Sequence, residues 1–325
     1  QSLRKSTGST ENIAKHMNCR ICSNVSGNSS FISKEMMYGT KDRFEYFECA
    51  SCGCLQIKEY PADMIRYYPE EYYSYTIKNQ QNHTPFISFL RQERAKYCIQ
   101  EKGLIGMILA AVLGRPTMFD LLKICQVDFS SSILDVGSGA GNFLFDLKKV
   151  GFKHLKGIDP YLKEKIFYDN GIEIDKCGIS DLTDQYDLVT LKDSLEHMPD
   201  QHEVFRHIGR ILKDNGSALI ILPIVGYAWR LYGSNWVSLD APRHLYLHSL
   251  KSLEILAEQH GLKIIHKRYD SNEDQFIGSE QYSRDISMFD ERSYYVNKEK
   301  SIFTKEQIAS YRGKAIQLNG LHPCG

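Results

Sequence analysis

The feature that most constrains the fold is a glycine-rich turn between an apolar segment and an amphipathic segment. It occupies residues 133–144, which read ILDVGSGAGNFL. Glycine permits positive φ angles and lets a ligand touch the backbone. The glycines are spaced GxGxG after an acidic residue, Asp135, whereas a dinucleotide-binding turn is spaced GxGxxG and holds a pyrophosphate that Asp135 would repel. The segment therefore predicts a strand, a turn that binds a ligand other than a dinucleotide, and a helix.

Apolar segments alternate with amphipathic helical segments from Ser132 onward. The predicted strands are residues 133–136, 155–158, 172–175, 187–191, 218–222 and 263–266. This alternation is typical of an α/β fold in which a parallel sheet carries helices on both faces. Ligands of such sheets bind beyond the carboxyl ends of the strands. We therefore expect the functional side chains to follow the strands directly.

Three later segments complete a pattern that resembles the class I S-adenosylmethionine (SAM) dependent methyltransferases, with the glycine turn as motif I of that family. They are GIDP at residues 157–160, YDLVTLKDSLEHMPD at 186–200 and LKDNG at 212–216. The resemblance implies an α/β fold with a Rossmann-like class I methyltransferase sheet. It also implies that SAM is the cofactor.

By this resemblance, the glycines of the turn approach the methionine part of SAM. Asp159 would accept hydrogen bonds from both ribose hydroxyls, which one carboxylate can do. Asp181 would lie near the adenine, or would instead cap a short helix. The residues that the resemblance implies in SAM binding are Asp135, Gly137, Ser138, Gly139, Gly141, Asn142, Asp159, Pro160, Asp181, Lys192 and Asp193.

Four cysteines ahead of this domain form two CxxC pairs separated by 26 residues. Each pair can turn two thiolates toward one tetrahedral zinc ion, and a β-hairpin such as residues 44–47 would bring the pairs together. Four thiolates leave no open coordination position, so we expect a structural Zn²⁺ in a small zinc-ribbon-like module. Two unligated pairs are the alternative. The predicted ligands are Cys19, Cys22, Cys49 and Cys52.

Two segments are candidates for binding the methyl acceptor. Residues 67–75 read YYPEEYYSY, whose phenols could pack on a sugar or an adenine, or could simply cover the next domain. Residues 235–248 read NWVSLDAPRHLYLH and follow the fifth predicted strand, where the methyltransferase fold places acceptor-binding insertions. The predicted acceptor contacts are Tyr72, Tyr73, Trp236, Arg243 and Tyr246.

Histidine is the candidate catalytic residue. A sugar hydroxyl is a poor nucleophile at neutral pH, so a general base that contributes a factor of roughly 10² to 10⁴ in rate is expected beside it. Histidine is the side chain best matched to that task. We predict His244 as the base and His197, after the fourth strand, as a second candidate better suited to the pocket floor. Alternatively, Arg243 and His244 only tie the insertion to the body, or Arg243 binds a phosphate or carboxylate on the sugar.

The cysteine module, the aromatic stretch and residues 235–248 together resemble zinc-containing methyltransferases of bacterial polysaccharide and nucleotide-sugar pathways. This resemblance covers most of residues 18–290 and implies a sugar or nucleotide-sugar acceptor. Relatives that methylate a sugar carbon typically show His-Glu-His where this chain has Pro242-Arg243-His244, and they carry a further C-terminal domain. Both differences favour a hydroxyl acceptor. The alternatives are a methyltransferase of another small molecule or of RNA, and a non-catalytic scaffold whose zinc module recruits a partner.

Composition and patterning bound the remaining expectations. Forty basic and forty acidic residues cancel, which disfavours a nucleic-acid partner. The longest apolar run, residues 103–114, is too short to cross a bilayer, and the cysteine usage suits a reducing, cytoplasmic location. The chain is predicted to begin with a tag or disordered segment at residues 1–17, followed by the zinc module at 18–60 and by a connector and cap at 61–117 that has helical periodicity over 86–113. The SAM domain follows at 118–270 and includes the acceptor insertion at about 226–248. A C-terminal extension occupies residues 271–325.

Overall fold

The computed structural model of this protein describes residues 17–69, 73–77 and 84–321. Its strands are β1 (Ser29–Lys34), β2 (Arg43–Glu48), β3 (Leu55–Ile57), β4 (Ser132–Val136), β5 (His154–Ile158), β6 (Ile166–Phe167), β7 (Glu173–Asp175), β8 (Tyr186–Lys192), β9 (Leu212–Ile221) and β10 (Tyr246–Leu247). Its α-helices are α1 (Pro85–Gln100), α2 (Leu104–Leu113), α3 (Thr117–Ile124), α4 (Asn142–Lys149), α5 (Gln201–Ile211), α6 (Tyr227–Tyr232), α7 (Leu250–Gln259), α8 (Asp274–Ser283) and α9 (Lys305–Leu321).

A six-stranded sheet forms the centre of the fold, with the strand order β6-β7-β5-β4-β8-β9. All neighbouring pairs are parallel except β6 with β7. The central strand β4 is buried along nearly its whole length, as expected for a parallel strand covered on both faces. The predicted α/β architecture of the Rossmann-like class is confirmed.

Two details of this sheet differ from the sequence expectations. Residues 263–266 form no strand, and Ile265 exposes 66% of its surface. A short apolar run cannot be assigned from periodicity alone, and here it lacks a neighbouring strand. The fifth predicted strand begins earlier than expected, at Leu212, because a register shift between the pairs of Tyr186 and Leu188 lets residues 212–216 extend β9.

A second sheet has the order β1-β2-β3-β10, and all its pairs are antiparallel. The predicted hairpin at residues 44–47 is wrong, because those residues lie inside the single strand β2; the hairpin is formed by β1 and β2. Strand β10 comes from the predicted acceptor insertion and pairs Tyr246 with Gln56. The cysteine-bearing segment and the insertion therefore share one sheet.

The helical segment predicted over 86–113 is divided into two helices, α1 and α2. Gly103 begins α2 with a φ of 101°. Helix α2 packs on α1 through small residues, since a Cβ on Gly106 would lie 2.1 Å from the carbonyl oxygen of Glu93. Its large apolar side chains, including Ile108 and Val112, are exposed. None of the helices in the described part of the chain has the length and apolarity that a membrane crossing requires.

A fully buried arginine, Arg243, joins three separate segments. Its guanidinium donates to Oε1 of Glu35 at 2.9 Å, to both carboxylate oxygens of Asp240, and to the carbonyl oxygen of Tyr67 at 3.2 Å. Glu35 lies after β1, Tyr67 in the aromatic stretch and Asp240 in the insertion. These contacts agree with the alternative that Arg243 ties the insertion to the body, and contact of Arg243 with the acceptor stays a prediction.

Removing the charge partner of this arginine is expected to destabilise the protein strongly. Glu35→Ala should lower the free energy of unfolding by about 3 to 5 kcal/mol, because it leaves part of a buried ion pair without compensation. Lys213→Ala, which breaks the solvent-exposed pair with Asp187, should have little effect. Denaturant titration of both variants checks the difference, and equally small losses would contradict it.

Candidate cofactor and acceptor site

The turn after β4 requires glycine at three positions. Gly137, Gly139 and Gly141 have φ angles of 72°, 52° and 81°, a region that other residues rarely adopt. A Cβ on Gly139 would lie 2.4 Å from the carbonyl oxygen of Ser74. The same oxygen accepts a hydrogen bond from the amide of Ala140 at 2.8 Å. The short 3₁₀ helix Tyr73–Tyr75 therefore lies directly against the turn.

Asp159 follows β5 and faces this turn. It is 6% exposed. Its Oδ2 accepts from the amide of Gly139 at 3.0 Å, and its Oδ1 accepts from the amide of Tyr161 at 2.9 Å. A carboxylate oxygen has two acceptor sites, so each oxygen retains one. The arrangement fits the two hydroxyls of a ribose, and burial raises the pKa of Asp159.

Asp135 is directed toward the neighbouring strand. Its Oδ1 accepts a hydrogen bond from Oγ1 of Thr190 at 2.7 Å, and burial raises the pKa of Asp135 to about 7. A hydrogen bond from Ser138 to the carbonyl of Ile158, at 3.4 Å, spans the turn and the end of β5. These contacts join β4, β5 and β8 below the glycine turn.

In the sequence, the remaining predicted SAM residues follow the glycine turn or lie at or after the carboxyl ends of β5, β7 and β8. Asn142 donates to the carbonyl of Thr76 at 3.0 Å, and Lys192 forms an ion pair with Asp193 at 2.8 Å. Pro160 follows Asp159 and is exposed. Asp181 accepts from the amide of Gly178 at 2.9 Å and so caps the 3₁₀ helix Ile179–Asp181. Of the two roles considered for Asp181, the structure contains the contact of a helix cap.

The four CxxC cysteines converge at one point. The Sγ atoms of Cys19 and Cys52 are 3.6 Å apart, those of Cys22 and Cys49 are 3.5 Å apart, and all four lie within 4.8 Å of one another. Zinc–sulfur bonds of about 2.3 Å at tetrahedral angles place sulfurs roughly 3.8 Å apart. Gln56 also donates to Sγ of Cys19 at 2.9 Å. The cluster therefore fits a structural zinc ion.

Beside the glycine turn lies a second polar cluster, formed by Glu196, His197 and His244. One metal-ligating atom from each residue lies within 4.8 Å of those of the other two. Glu196 and His197 belong to the 3₁₀ helix Leu195–His197 after β8, and His244 comes from the insertion. The two imidazole rings are 4.7 Å apart and nearly perpendicular. Two segments distant in sequence thus meet at this edge of the sheet.

Backbone carbonyls set the tautomers of both histidines. Nδ1 of His244 lies 2.7 Å from the carbonyl oxygen of Ser238, and Nδ1 of His197 lies 2.9 Å from that of Arg243. Because a carbonyl only accepts, each Nδ1 carries the hydrogen and each Nε2 carries a lone pair. Burial lowers the pKa of His244, and it lowers that of His197 to about 3. Both rings are therefore neutral near pH 7.

Glu196 was not among the predicted site residues. Its side chain is 1% exposed, and neither carboxylate oxygen has a hydrogen-bond partner among the described residues. Oε1 lies 3.9 Å from Nε2 of His244, and burial raises the pKa of Glu196 to about 8. The acidic residue before His197 was visible in the sequence, but its burial without a partner depends on the insertion that covers it.

Of the predicted acceptor contacts, Tyr72 and the side chain of Tyr73 lie outside the described residues. Trp236 is 4% exposed. Tyr246 is buried, and its hydroxyl bonds to the carbonyl of Pro199 at 2.8 Å and to the hydroxyl of Tyr60 at 2.9 Å, so its contact with the acceptor stays a prediction. Tyr68, which was not predicted, places its hydroxyl 3.2 Å from Nδ1 of His197.

Comparison with known proteins assigns the family. Residues 92–267, more than half of the chain, match the family model described as a methyltransferase domain. The chain belongs to this family and is a class I SAM-dependent methyltransferase. No curated protein sequence matches the chain.

Several solved structures are similar to this chain. YcgJ from Bacillus subtilis has 15% identity and a TM-score of 0.39, over 59% of this chain and 80% of its own. The SAH-bound magnesium protoporphyrin IX methyltransferase of Synechocystis has 13% identity and a TM-score of 0.35, over 60% and 84%. The cyclopropane synthase MmaA2 of Mycobacterium tuberculosis has 12% identity and a TM-score of 0.35, over 63% and 82%.

A methyl group added to the glycine turn should disrupt cofactor binding. In Gly139→Ala the new Cβ collides with the carbonyl of Ser74, so we expect the affinity for S-adenosylhomocysteine (SAH), the demethylated cofactor, to fall at least about tenfold, or about 1.4 kcal/mol. Gly171→Ala is the matched control, because its φ is also positive but its Cβ would meet nothing within 4 Å. Calorimetric titration measures both variants, and equal affinities would contradict this account of the turn.

Proposed function

We propose that this methyltransferase transfers the methyl group of SAM to a hydroxyl group of a sugar in polysaccharide or nucleotide-sugar biosynthesis. The observation that carries the proposal is the pairing of the glycine turn with a buried cluster of hydrogen-bond acceptors. The acceptors are the Nε2 atoms of His197 and His244 and the two oxygens of Glu196, for which the described part of the chain offers no hydrogen-bond partner. When bound, SAM supplies the methyl group on a positively charged sulfur.

On the cofactor side, the residues assigned are those of the turn and of the strand ends around it. The three turn glycines, with their positive φ angles, shape the backbone that approaches the methionine part of SAM, and Asp159 accepts the ribose hydroxyls. Asp135 and Ser138 brace the turn from below. Asn142, Pro160, Asp181, Lys192 and Asp193 complete the set at the rim.

The acceptor cluster adjoins this cofactor site. Ser194 packs on the turn so closely that a Cβ on Gly137 would lie 2.6 Å from its Cβ, and Glu196 follows two residues later. The aromatic stretch also links the sites, since Tyr68 reaches His197 and Ser74 contacts Ala140. Methyl transfer needs nucleophile, methyl carbon and sulfur in line, and alignment of this kind can contribute on the order of 7 to 11 kcal/mol.

A hydroxyl acceptor matches the chemistry of the cluster. An alcohol must lose its proton as it attacks, and a neutral imidazole is suited to accept it. In the direct form of this step, the proton passes to Nε2 of His244, whose ring is held by the Ser238 carbonyl. A sugar offers further hydroxyls that can donate to Glu196 and His197. The phenol of Tyr68 supplies an aromatic wall of the kind that sugars pack against.

The test is a screen of sugars and nucleotide sugars for methyl uptake from labelled SAM. His244→Gln should reduce turnover on the accepted sugar by a factor of roughly 10² to 10⁴, while the affinity for SAH stays unchanged. His154→Gln is the control, because His154 is exposed at the amino end of β5, away from the cofactor. Full activity of His244→Gln, or methylation of amines alone, would refute the proposal.

A further inference from the structure

The side chain of Glu196 is buried, and within residues 17–69, 73–77 and 84–321 neither of its carboxyl oxygens has a hydrogen-bond partner. Buried polar side-chain atoms of proteins almost always have a partner, so two buried oxygens of this kind point to a ligand. The buried guanidinium of the insertion is not available to them. Arg243 is already shared by Glu35 and Asp240, and Asp240, whose Oδ2 lies 3.9 Å from Nε2 of His244, adds negative charge. A bound cation would compensate the cluster.

The histidines have the arrangement of metal ligands. A metal-binding imidazole usually donates its other N–H to a carbonyl or carboxylate, which fixes the ring and directs its lone pair at the ion. His197 and His244 both make this bond, to the carbonyls of Arg243 and Ser238. Neither ring needs to change its tautomer to bind an ion.

The spacing is close to that of a coordination sphere. Nε2 of His244 and Oε1 of Glu196 are 3.9 Å apart, and the three ligating atoms lie within 4.8 Å of one another. Bonds of about 2.0 Å at tetrahedral angles place two ligand atoms roughly 3.3 Å apart. The three side chains therefore lie close enough together to share one ion.

We propose that Glu196, His197 and His244 bind a divalent transition-metal ion of the zinc class, distinct from the ion that fits the four cysteines. Two imidazoles and one carboxylate suit zinc and similar ions. Three protein ligands leave a coordination position for a substrate oxygen, whereas four thiolates leave none. The chain then has one closed metal site and one open site.

The inference rests on the proposed hydroxyl acceptor and changes the role of His244, which holds the ion instead of receiving the proton directly. With the ion bound, the acceptor oxygen would take the open position, and its O–H bond would break with the proton passing to water. A metal ion favours this loss, as it does for bound water, whose pKa zinc lowers to about 7. The oxygen lone pair forms the new C–O bond, the C–S bond breaks, and its electrons remain on sulfur in SAH.

The test counts metal ions and needs no acceptor. Wild type, Glu196→Gln and His244→Gln are saturated with Zn²⁺, dialysed and analysed for zinc per chain. We expect each variant to hold one equivalent less than wild type, while Glu164→Gln, which changes an exposed acid, matches wild type. Unchanged SAH affinity shows that the variants are folded. Zinc content equal in wild type and Glu196→Gln would overturn the inference.

Cobalt distinguishes the two sites within the same samples. Co²⁺ bound to thiolates absorbs strongly through sulfur-to-metal charge transfer, and Co²⁺ bound to imidazole and carboxylate does not. We expect Glu196→Gln to lose one cobalt equivalent with no loss of the thiolate bands. Loss of those bands instead would place the affected ion at the cysteines and overturn the inference. A confirmed ion without sugar methylation would refute only the proposed acceptor.

Discussion

The buried guanidinium of Arg243 is the interaction on which the acceptor site depends. It joins Glu35, Tyr67 and Asp240, which belong to three segments far apart in sequence. The carbonyl of the same residue fixes the ring of His197, and the next residue is His244. One buried ion pair therefore sets the positions of both histidines. Breaking such a pair costs far more than losing a surface one, so the site is held rigidly.

The cysteine cluster supports the same site from the other side. It belongs to the segment whose sheet β10 joins. In that sheet, the hydroxyl of Tyr46 in β2 donates to the carbonyl of His244 at 2.9 Å. The amide of Leu245 donates to the carbonyl of Glu196 at 2.8 Å. A zinc ion at the cysteines would thus act on the acceptor site indirectly, by stabilising the sheet that carries the insertion.

The sequence predicts the sheet and the glycine turn well, because their patterns are local. The glycine turn, the acid after β5 and the segment after β8 each lie within a few residues of a strand end, and strand ends of a parallel sheet meet at one edge. The CxxC spacing likewise encodes the cysteine cluster. Both kinds of pattern can be recognised without knowing which distant segments touch.

The acceptor half is not predictable in this way. Arg243 and Tyr246 resemble ligand-binding residues in sequence, yet long-range packing buries them. The sequence does not reveal that Glu196 is buried. Its burial arises because the insertion covers its side chain without forming a hydrogen bond to it. The wrong prediction of a strand at residues 263–266 has the same cause, since apolar alternation cannot reveal whether a neighbouring strand exists.

The most direct test of the account is calorimetric titration of SAH into wild type and Asp159→Ala. Hydrogen bonds to a charged group contribute about 1.5 to 3 kcal/mol each, so losing both ribose contacts should weaken binding by roughly 100-fold or more. Asp184→Ala, at the amino end of β8, should bind as wild type does. Unaltered SAH affinity in Asp159→Ala would contradict the cofactor site described for this methyltransferase.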